Sequence, residues 1–260
     1  MSRKLSAILS LSLLIGPAWA VVARAEAPAS APAPTTKPVA KHEAADEPAI
    51  KGKDEPNNGF LKRHEGFLKD LKEKDGKVGL LFVGDSITDG WRNGGKEVFA
   101  KTYDKDEPFN IGIGGDRTQH VIWRLEHGEV EGISPKVAVL MIGTNNLAGN
   151  TNEEIVKGVT KCVDLLHEKL PHTTVLLLAI FPRDEKPDTE KRTRIKAINE
   201  ELAKLDDGGK TVKYLDIGPK FLAEDGTIPV DVMKDHLHPT AKGYQIWADA
   251  MQPTLDELMK

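Results

Sequence analysis

Short apolar runs alternate with stretches of helical periodicity from residue 79 to the end of the chain. The apolar runs are four to seven residues long and carry few polar side chains: Gly79 to Val83, Phe109 to Ile113, Val137 to Ile142, Thr174 to Ile180 and Val212 to Leu215. Runs of this kind are typical of parallel strands that are covered on both faces. They therefore predict five strands.

The stretches before, between and after these runs repeat their apolar residues at a spacing near 3.6, which predicts helices. The candidate helices are Gly59 to Lys72, Thr118 to Glu126, Asn152 to Leu170, Thr189 to Leu205 and Pro239 to Met259. Thr151 or Asn152 before the third helix, and Pro239 just inside the last, fit amino-terminal signals. The alternation predicts an α/β protein, a three-layer α/β/α sandwich around a five-stranded, mostly parallel sheet.

The first 25 residues have the pattern of a secretory signal peptide. Basic residues at positions 3 and 4 precede an apolar run from Leu5 to Ile15, and the small residues of Ala18-Trp19-Ala20 follow. Ala23-Arg24-Ala25 is an alternative cleavage site, and a retained amphipathic anchor is the alternative interpretation. The apolar run is short for a bilayer, so we expect no stable membrane span in the mature protein. We therefore expect an exported protein, periplasmic or extracellular.

Residues 26–56 are rich in Ala, Pro, Lys and Glu and have almost no large apolar side chains, which predicts a disordered linker. The remaining residues, 57–260, suit one compact domain. Cys162 is the only cysteine, so an intrachain disulfide is excluded. It falls in the apolar stripe of a predicted helix, where we expect a core residue.

The charge balance argues against a nucleic acid partner. The chain has 36 basic and 40 acidic residues, and removal of residues 1–25 would leave 33 against 40, a net charge of −7. A surface with this balance does not attract polyanions. We therefore expect no nucleic acid partner.

Polar and small residues follow the predicted strands, where the carboxyl ends of parallel strands share one edge of the sheet. They are Asp85-Ser86, Gly114-Gly115-Asp116, Gly143-Thr144-Asn145-Asn146 and, before the last helix, Asp235-His236-Leu237-His238. A serine, a histidine with an acid three residues earlier and several hydrogen-bond donors are the groups that acyl transfer requires.

Each group has a definite role in that chemistry. Ser86 would attack a carbonyl, His238 would take and return its proton, and Asp235 would orient the imidazole. The backbone N–H groups of Ser86 and Gly115 and the side-chain amide of Asn145 would form the oxyanion hole.

Plainer interpretations exist for the same residues. Asp85-Ser86 could cap a helix, Gly115 could serve only a turn, and Asn145 could be a cap. Asp235, His236 and His238 could bind a metal, but no third cluster of ligands supports this, and we expect no metal and no cofactor. Asp85 is expected to hold the turn, and Asp116 and Arg117 could form a local ion pair.

Four segments together resemble the sequence blocks of the SGNH (GDSL-like) hydrolase family: Gly-Asp-Ser-Ile-Thr around Ser86, Gly115, Gly-Thr-Asn-Asn around Asn145, and Asp-His-Leu-His from Asp235. Residues 110 to 125 further resemble the branch of platelet-activating factor acetylhydrolase type I catalytic subunits. The resemblance implies a flavodoxin-like SGNH hydrolase fold with a Ser86, Asp235 and His238 triad and the oxyanion donors named above. The Gly-x-Ser-x-Gly signature of α/β-hydrolases is absent around Ser86.

The resemblance implies a serine esterase for short acyl groups, with acetyl as the first choice. Ile87, Thr144 and Leu237 flank the catalytic candidates and could wall an acyl pocket. The implied substrate is a small-molecule or glycan ester. An exported enzyme would meet O-acetylated carbohydrate, whereas lipid hydrolysis by a lysophospholipase or thioesterase is the enzymatic alternative. A catalytically silent glycan-binding module is the non-enzymatic alternative. Animal relatives pair, so a homodimer is also considered.

Overall fold

The computed structural model describes residues 43–260, so the predicted signal peptide and residues 26–42 lie outside the described residues. Five strands form one sheet, in the order β2-β1-β3-β4-β5, and every neighbouring pair is parallel. The strands are β1 (Leu80–Gly84), β2 (Pro108–Asn110), β3 (Val137–Met141), β4 (Thr174–Leu178) and β5 (Val212–Leu215). The predicted five-stranded sheet is confirmed.

Seven α-helices occur in the described part of the chain: α1 (Gly59–Lys74), α2 (Ser86–Asp89), α3 (Lys96–Tyr103), α4 (Thr118–Glu126), α5 (Asn152–Lys169), α6 (Glu190–Leu202) and α7 (Ala241–Leu258). Side chains of α1, α4, α5 and α6 form one core cluster against the sheet, and those of α3 and α7 form a second. The two clusters use alternate residues of the strands, because successive side chains of a strand point to opposite faces. The three-layer sandwich is thereby confirmed. None of the described helices is long and apolar enough to cross a membrane.

The predicted helix starts have different outcomes. Thr151 caps α5, since its Oγ1 accepts from the Glu154 N–H at 3.3 Å while Glu154 Oε2 accepts from the Thr151 N–H at 2.9 Å. The placement of Pro239 inside the last helix was wrong. Thr240 is the cap of α7, and Pro239 instead forms an isolated bridge with Met233.

The lone cysteine is a core residue, as predicted. Cys162 is fully buried in α5 among the side chains of the first core cluster. Burial raises the pKa of its thiol well above the ordinary range.

Residues 43–58, here called the amino-terminal arm, pack on the domain. Ala45 is fully buried and its carbonyl accepts from Thr118 Oγ1 at 2.6 Å, while the Ala49 N–H donates to the Gln119 carbonyl at 3.1 Å. The predicted linker therefore ends too late in the chain, because residues 43–56 belong to the packed part. Hydrogen bonds hold them, most of them between a side chain and a backbone carbonyl, and Ile50 packs against the first core cluster.

The end of β1 leaves no room for a side chain. Gly84 lies opposite Met141 of β3, and a Cβ atom at this position would overlap the Met141 carbonyl oxygen and the Thr88 side chain. The glycine therefore allows the tight passage from β1 into α2.

We expect Gly84→Ala to destabilise the protein, because the backbone carbonyl of Met141 cannot move aside. The free energy of unfolding should fall by about 1–3 kcal/mol, measured by urea denaturation. Gly66→Ala is the matched control: no atom lies within 4 Å of the added Cβ in α1, so stability should rise by about 0.5–1 kcal/mol. Equal effects of the two substitutions would contradict this account of the β1 turn.

Candidate active site

Ser86 is the first residue of α2, directly after β1. The preceding residue is the helix cap, since Asp85 Oδ1 accepts from the Ile87 N–H at 2.9 Å. The turn is tied to α7 by the Tyr244 hydroxyl, which donates to the Ile87 carbonyl at 2.8 Å. Asp85 thus has the turn-holding role expected from the sequence, and the Ser86 hydroxyl is left for another partner.

That partner is His238. Ser86 Oγ and His238 Nε2 are 2.8 Å apart, although the two residues are 152 positions apart in the chain. On the other side of the ring, His238 Nδ1 lies 2.7 Å from Asp235 Oδ2. The three residues form one line of hydrogen bonds, an arrangement in which an imidazole can accept a hydroxyl proton while a carboxylate orients the ring.

Asp235 is held by its own loop. Its Oδ1 accepts from the backbone N–H groups of His238 at 2.7 Å and Leu237 at 3.2 Å. Partial burial pushes the pKa of this carboxyl upward, but the hydrogen bonds from the His238 ring and from these N–H groups outweigh burial. The pKa is lowered overall, so Asp235 is a carboxylate at neutral pH.

Two of the three candidate oxyanion donors, Gly115 and Asn145, lie in the loops after β2 and β3. Gly115 has φ +76°, a conformation that glycine adopts without strain. A Cβ atom on its neighbour Gly114 would lie 3.9 Å from Ser86 Cβ, so this loop runs beside the serine.

Asn145 is anchored to the same loop. Its Nδ2 donates to the Asp116 carbonyl at 2.8 Å and lies 3.5 Å from Asp85 Oδ2. An amide nitrogen has two hydrogens, and the second is only loosely engaged at 3.5 Å. Asn145 can therefore donate to a ligand while its first hydrogen bond holds it in place.

Asp85 is fully buried beneath the serine. Burial is the largest influence on its carboxyl and, together with the nearby Asp116, raises its pKa to about 7. The Ile87 N–H and the Arg183 charge act in the opposite direction but are weaker. Asp85 therefore titrates near neutral pH, unlike Asp235.

The three candidate acyl-pocket residues differ in their surroundings. Thr144 is buried, and its Oγ1 accepts from Arg183 Nη1 at 3.1 Å. Leu237 is half-buried at the edge of the second core cluster. Ile87 is only 1% exposed and packs inside that cluster. Contact of these side chains with an acyl group stays a prediction.

Asp116 has Lys51 and Arg124 as its ion-pair partners, rather than the neighbouring Arg117 that the sequence offered as one possibility. Asp116 is buried and binds Lys51 Nζ at 2.8 Å and Arg124 Nε at 3.0 Å, because its side chain points into the domain. The backbone N–H of Arg117 donates to His120 Nδ1 at 3.0 Å.

His236 is a structural residue. Its Nδ1 lies 2.9 Å from the Ile228 carbonyl, and its φ of +54° turns the chain ahead of His238. No cluster of three or more His, Cys, Asp or Glu side chains that could hold a metal occurs among residues 43–260.

Sequence reasoning missed Lys51, Arg124 and Arg183. Arg124 is completely buried and binds both Asp116 and Glu129. The helical periodicity shows only that an arginine falls on a buried face of the helix, and it does not identify these partners. Lys51 and Arg183 lie in irregular segments with no periodic signal.

Comparison with known proteins identifies the family. The model of the GDSL-like Lipase/Acylhydrolase family matches residues 82–246, which include Ser86, Gly115, Asn145, Asp235 and His238. The chain belongs to this family.

Curated relatives and solved structures agree. The chain is 35% identical over 200 residues to the human platelet-activating factor acetylhydrolase IB subunit alpha1, covering 77% of this chain and 84% of the relative. It is 37% identical over 212 residues to the chicken alpha2 subunit, covering 80% and 86%. A putative acylhydrolase from Bacteroides fragilis has the same fold, with TM-score 0.64, 20% identity and coverage of 75% and 97%. The protein is thus a hydrolase acting on ester bonds, near the acetylhydrolase branch.

The buried carboxyl of Asp85 predicts a pH dependence of stability. Its folded-state pKa of about 7 lies above the ordinary 3.8, so between these values the folded state retains a proton that the unfolded state has released. The free energy of unfolding of the wild type should therefore fall, relative to Asp85→Asn, as pH rises from 4 to 7. The relative loss is at most about 4 kcal/mol.

Urea denaturation at pH 4.5, 6 and 8 measures this difference. Asp70→Asn, at an exposed position of α1, controls for the change in surface charge and should follow the wild type. Parallel pH profiles of the wild type and Asp85→Asn would show that burial does not hold the proton on Asp85.

Proposed function

We propose that the protein is a serine esterase that removes short acyl groups, acetyl first among them, with Ser86, His238 and Asp235 as its catalytic triad. The observation that carries this proposal is the line of hydrogen bonds from Ser86 Oγ to His238 Nε2, at 2.8 Å, and from His238 Nδ1 to Asp235 Oδ2, at 2.7 Å. Membership of an acylhydrolase family supports the same reaction type.

The first half of the reaction forms an acyl-enzyme. Ser86 Oγ attacks the ester carbonyl carbon while its proton passes to His238 Nε2, and the resulting imidazolium is stabilised by Asp235. The tetrahedral intermediate then collapses: its bond to the alcohol oxygen breaks, and His238 gives the proton to the leaving alkoxide. The alcohol departs, and the acyl group stays on Ser86.

The second half releases the acid. His238 takes a proton from water, the hydroxide oxygen attacks the acyl carbon, and the second tetrahedral intermediate expels Ser86 Oγ, which regains the proton. In both intermediates the oxyanion would accept hydrogen bonds from the N–H groups of Ser86 and Gly115 and from Asn145 Nδ2. Loss of one such donor typically lowers kcat about 10²- to 10³-fold.

The acyl preference rests on the relatives and on the residues beside the triad. Proteins 35–37% identical to this chain carry the name acetylhydrolase. Thr144 and Leu237 adjoin Asn145 and His238 in the sequence, and side chains at these positions would favour a small acyl group if they wall the acyl pocket as predicted. The proposed alcohol half is a carbohydrate hydroxyl, because an exported protein would meet O-acetylated carbohydrate. We propose export because residues 1–25 have the pattern of a signal peptide. We propose a homodimer because the relatives that this chain resembles are named as subunits.

The triad predicts how substitutions act. Ser86→Ala and His238→Ala should each lower kcat by about 10⁴- to 10⁶-fold, and Asp235→Asn by less, because the carboxylate acts through the imidazole. Hydrolysis of p-nitrophenyl acetate measures the loss. His172→Ala, at an exposed histidine before β4, is the control and should keep full activity.

Labelling by a fluorophosphonate probe separates an esterase from a silent binding module. The wild type and His172→Ala should be labelled, and Ser86→Ala should not. Absence of label from the wild type would favour the glycan-binding alternative, and full activity in Ser86→Ala would refute the proposed nucleophile.

The proposed acyl pocket predicts a preference for esters with short acyl chains. The wild type should turn over p-nitrophenyl acetate at least about tenfold faster than the octanoate, because the proposed acyl pocket would reject added methylenes. Leu237→Ala should narrow this ratio by giving a longer chain room. Leu222→Ala, which removes another half-buried leucine from the edge of the same core cluster, should not.

Acetylated xylan completes the substrate panel, with released acetate as the readout. Equal rates on acetate and octanoate would contradict the acetyl preference and favour a lipid acyl hydrolase. Hydrolysis of the small acetate ester without release of acetate from xylan would contradict the glycan assignment alone.

A further inference from the structure

The amino-terminal arm reaches the loop that carries Gly115. Lys51 Nζ donates to the Gly114 carbonyl at 2.6 Å and to Asp116 Oδ1 at 2.8 Å, across 63 and 65 positions of the chain. These are the residues immediately before and after Gly115. One ammonium group therefore holds the loop on both sides of a candidate oxyanion donor.

The same loop also holds the second donor. The Asp116 carbonyl accepts from Asn145 Nδ2 at 2.8 Å, so the orientation of the Asn145 amide depends on the position of the Asp116 backbone. The Asp116 carboxylate is clamped between Lys51 and Arg124. Lys51 thus contacts the one residue that connects Gly115 to Asn145.

The position of Lys51 is itself fixed. Asn58 Nδ2 donates to the Lys51 carbonyl at 2.7 Å and to the Gly52 carbonyl at 2.6 Å, while Asn58 Oδ1 accepts from the Phe60 N–H at 2.9 Å and so caps α1. The arm is thereby connected rigidly to the first helix.

A glycine in α5 leaves space on the domain for the start of the arm. A Cβ atom at Gly158, in the middle of α5, would lie 2.5 Å from the Ala45 carbonyl oxygen and 2.5 Å from Thr118 Oγ1. A glycine inside a helix costs about 1 kcal/mol relative to alanine, and here it makes the room that the arm needs. Asn150 Nδ2 adds a hydrogen bond to the Glu43 carbonyl at 3.1 Å.

We infer that Lys51 is a positioning residue of the oxyanion hole, so that the amino-terminal arm is part of the active site. The inference rests on the proposed function. Oxyanion donors stabilise a transition state only if they are already placed where the charge develops, and displacement by about 1 Å can cost on the order of a hundredfold in rate. Without Lys51 the Gly114-Gly115-Asp116 loop loses two of its hydrogen bonds.

Removal of the Lys51 ammonium need not unfold the protein. Arg124 Nε continues to donate to Asp116 Oδ2 at 3.0 Å and its Nη2 lies 3.0 Å from the same oxygen, so the buried carboxylate keeps a cation. The Lys51 side chain is also 29% exposed. Asp116 therefore keeps one cationic partner, Arg124, which it shares with Glu129, while the Gly114-Gly115-Asp116 loop is released.

The test uses the full chain and three variants: Lys51→Met, which keeps the aliphatic stem, Lys51→Arg, which restores a cationic donor, and Lys53→Met, which changes an exposed lysine of the same arm. With p-nitrophenyl acetate, Lys51→Met should lower kcat about 10- to 100-fold with KM changed less than about threefold. Lys51→Arg should recover most of kcat, and Lys53→Met should match the wild type. Urea denaturation and fluorophosphonate labelling accompany each assay.

The outcomes separate the inference from the proposed function. An active wild type with kcat of Lys51→Met within twofold overturns the inference alone. A loss in Lys51→Met that Lys51→Arg does not relieve, accompanied by an equal fall in the urea midpoint, also overturns it, in favour of simple packing. A wild type that neither hydrolyses the ester nor is labelled overturns the proposed function and the inference with it. The expected pattern, a loss in kcat with Ser86 still labelled, supports both.

Discussion

The parallel pairing of all five strands is the constraint on which the site depends. It brings the carboxyl ends of β1, β2 and β3 to one edge of the sheet, and β1 lies between the other two. The loops that carry Ser86, Gly115 and Asn145 are therefore neighbours before any side chain is considered. His238 arrives from a different direction, in the irregular segment ahead of α7, and α7 is tied to the serine turn through Tyr244 and the Ile87 carbonyl.

A network of buried charged side chains restrains the structure at this edge of the sheet. Asp116, Arg124 and Glu129 are completely buried, and His64 lies 2.8 Å from Glu129. Charges removed from water are tolerated only when they are paired and hydrogen-bonded. Such a network tolerates little displacement, and Asp116 is its end nearest the site. The backbone of the same residue receives the Asn145 amide, so the core network and the candidate oxyanion hole share one residue.

Most elements could be predicted from the sequence because their patterns are local. The strands are continuous apolar runs, and α5 shows both its apolar stripe and its Thr151 cap. Two helices were missed for a physical reason. The four residues of α2 follow the strand without a periodic signal, and in the eight-residue α3 only Tyr103 is buried. The arm was mistaken for a linker because hydrogen bonds to distant residues such as Thr118 and Asn150 hold it, and composition does not report such contacts.

The sequence by itself determined the layering of the fold and the kinds of chemical group at the strand ends, including the serine, the histidine and the acid three residues before it. These follow from periodicity and residue type, which are properties of short segments. Only the tertiary structure decided that Asp116 pairs with Lys51 and Arg124, that Asn145 is anchored to the Asp116 carbonyl, and that Ile87 packs inside the core. Each of these contacts joins residues far apart in the chain or depends on which way a side chain points, and packing of the whole domain settles both.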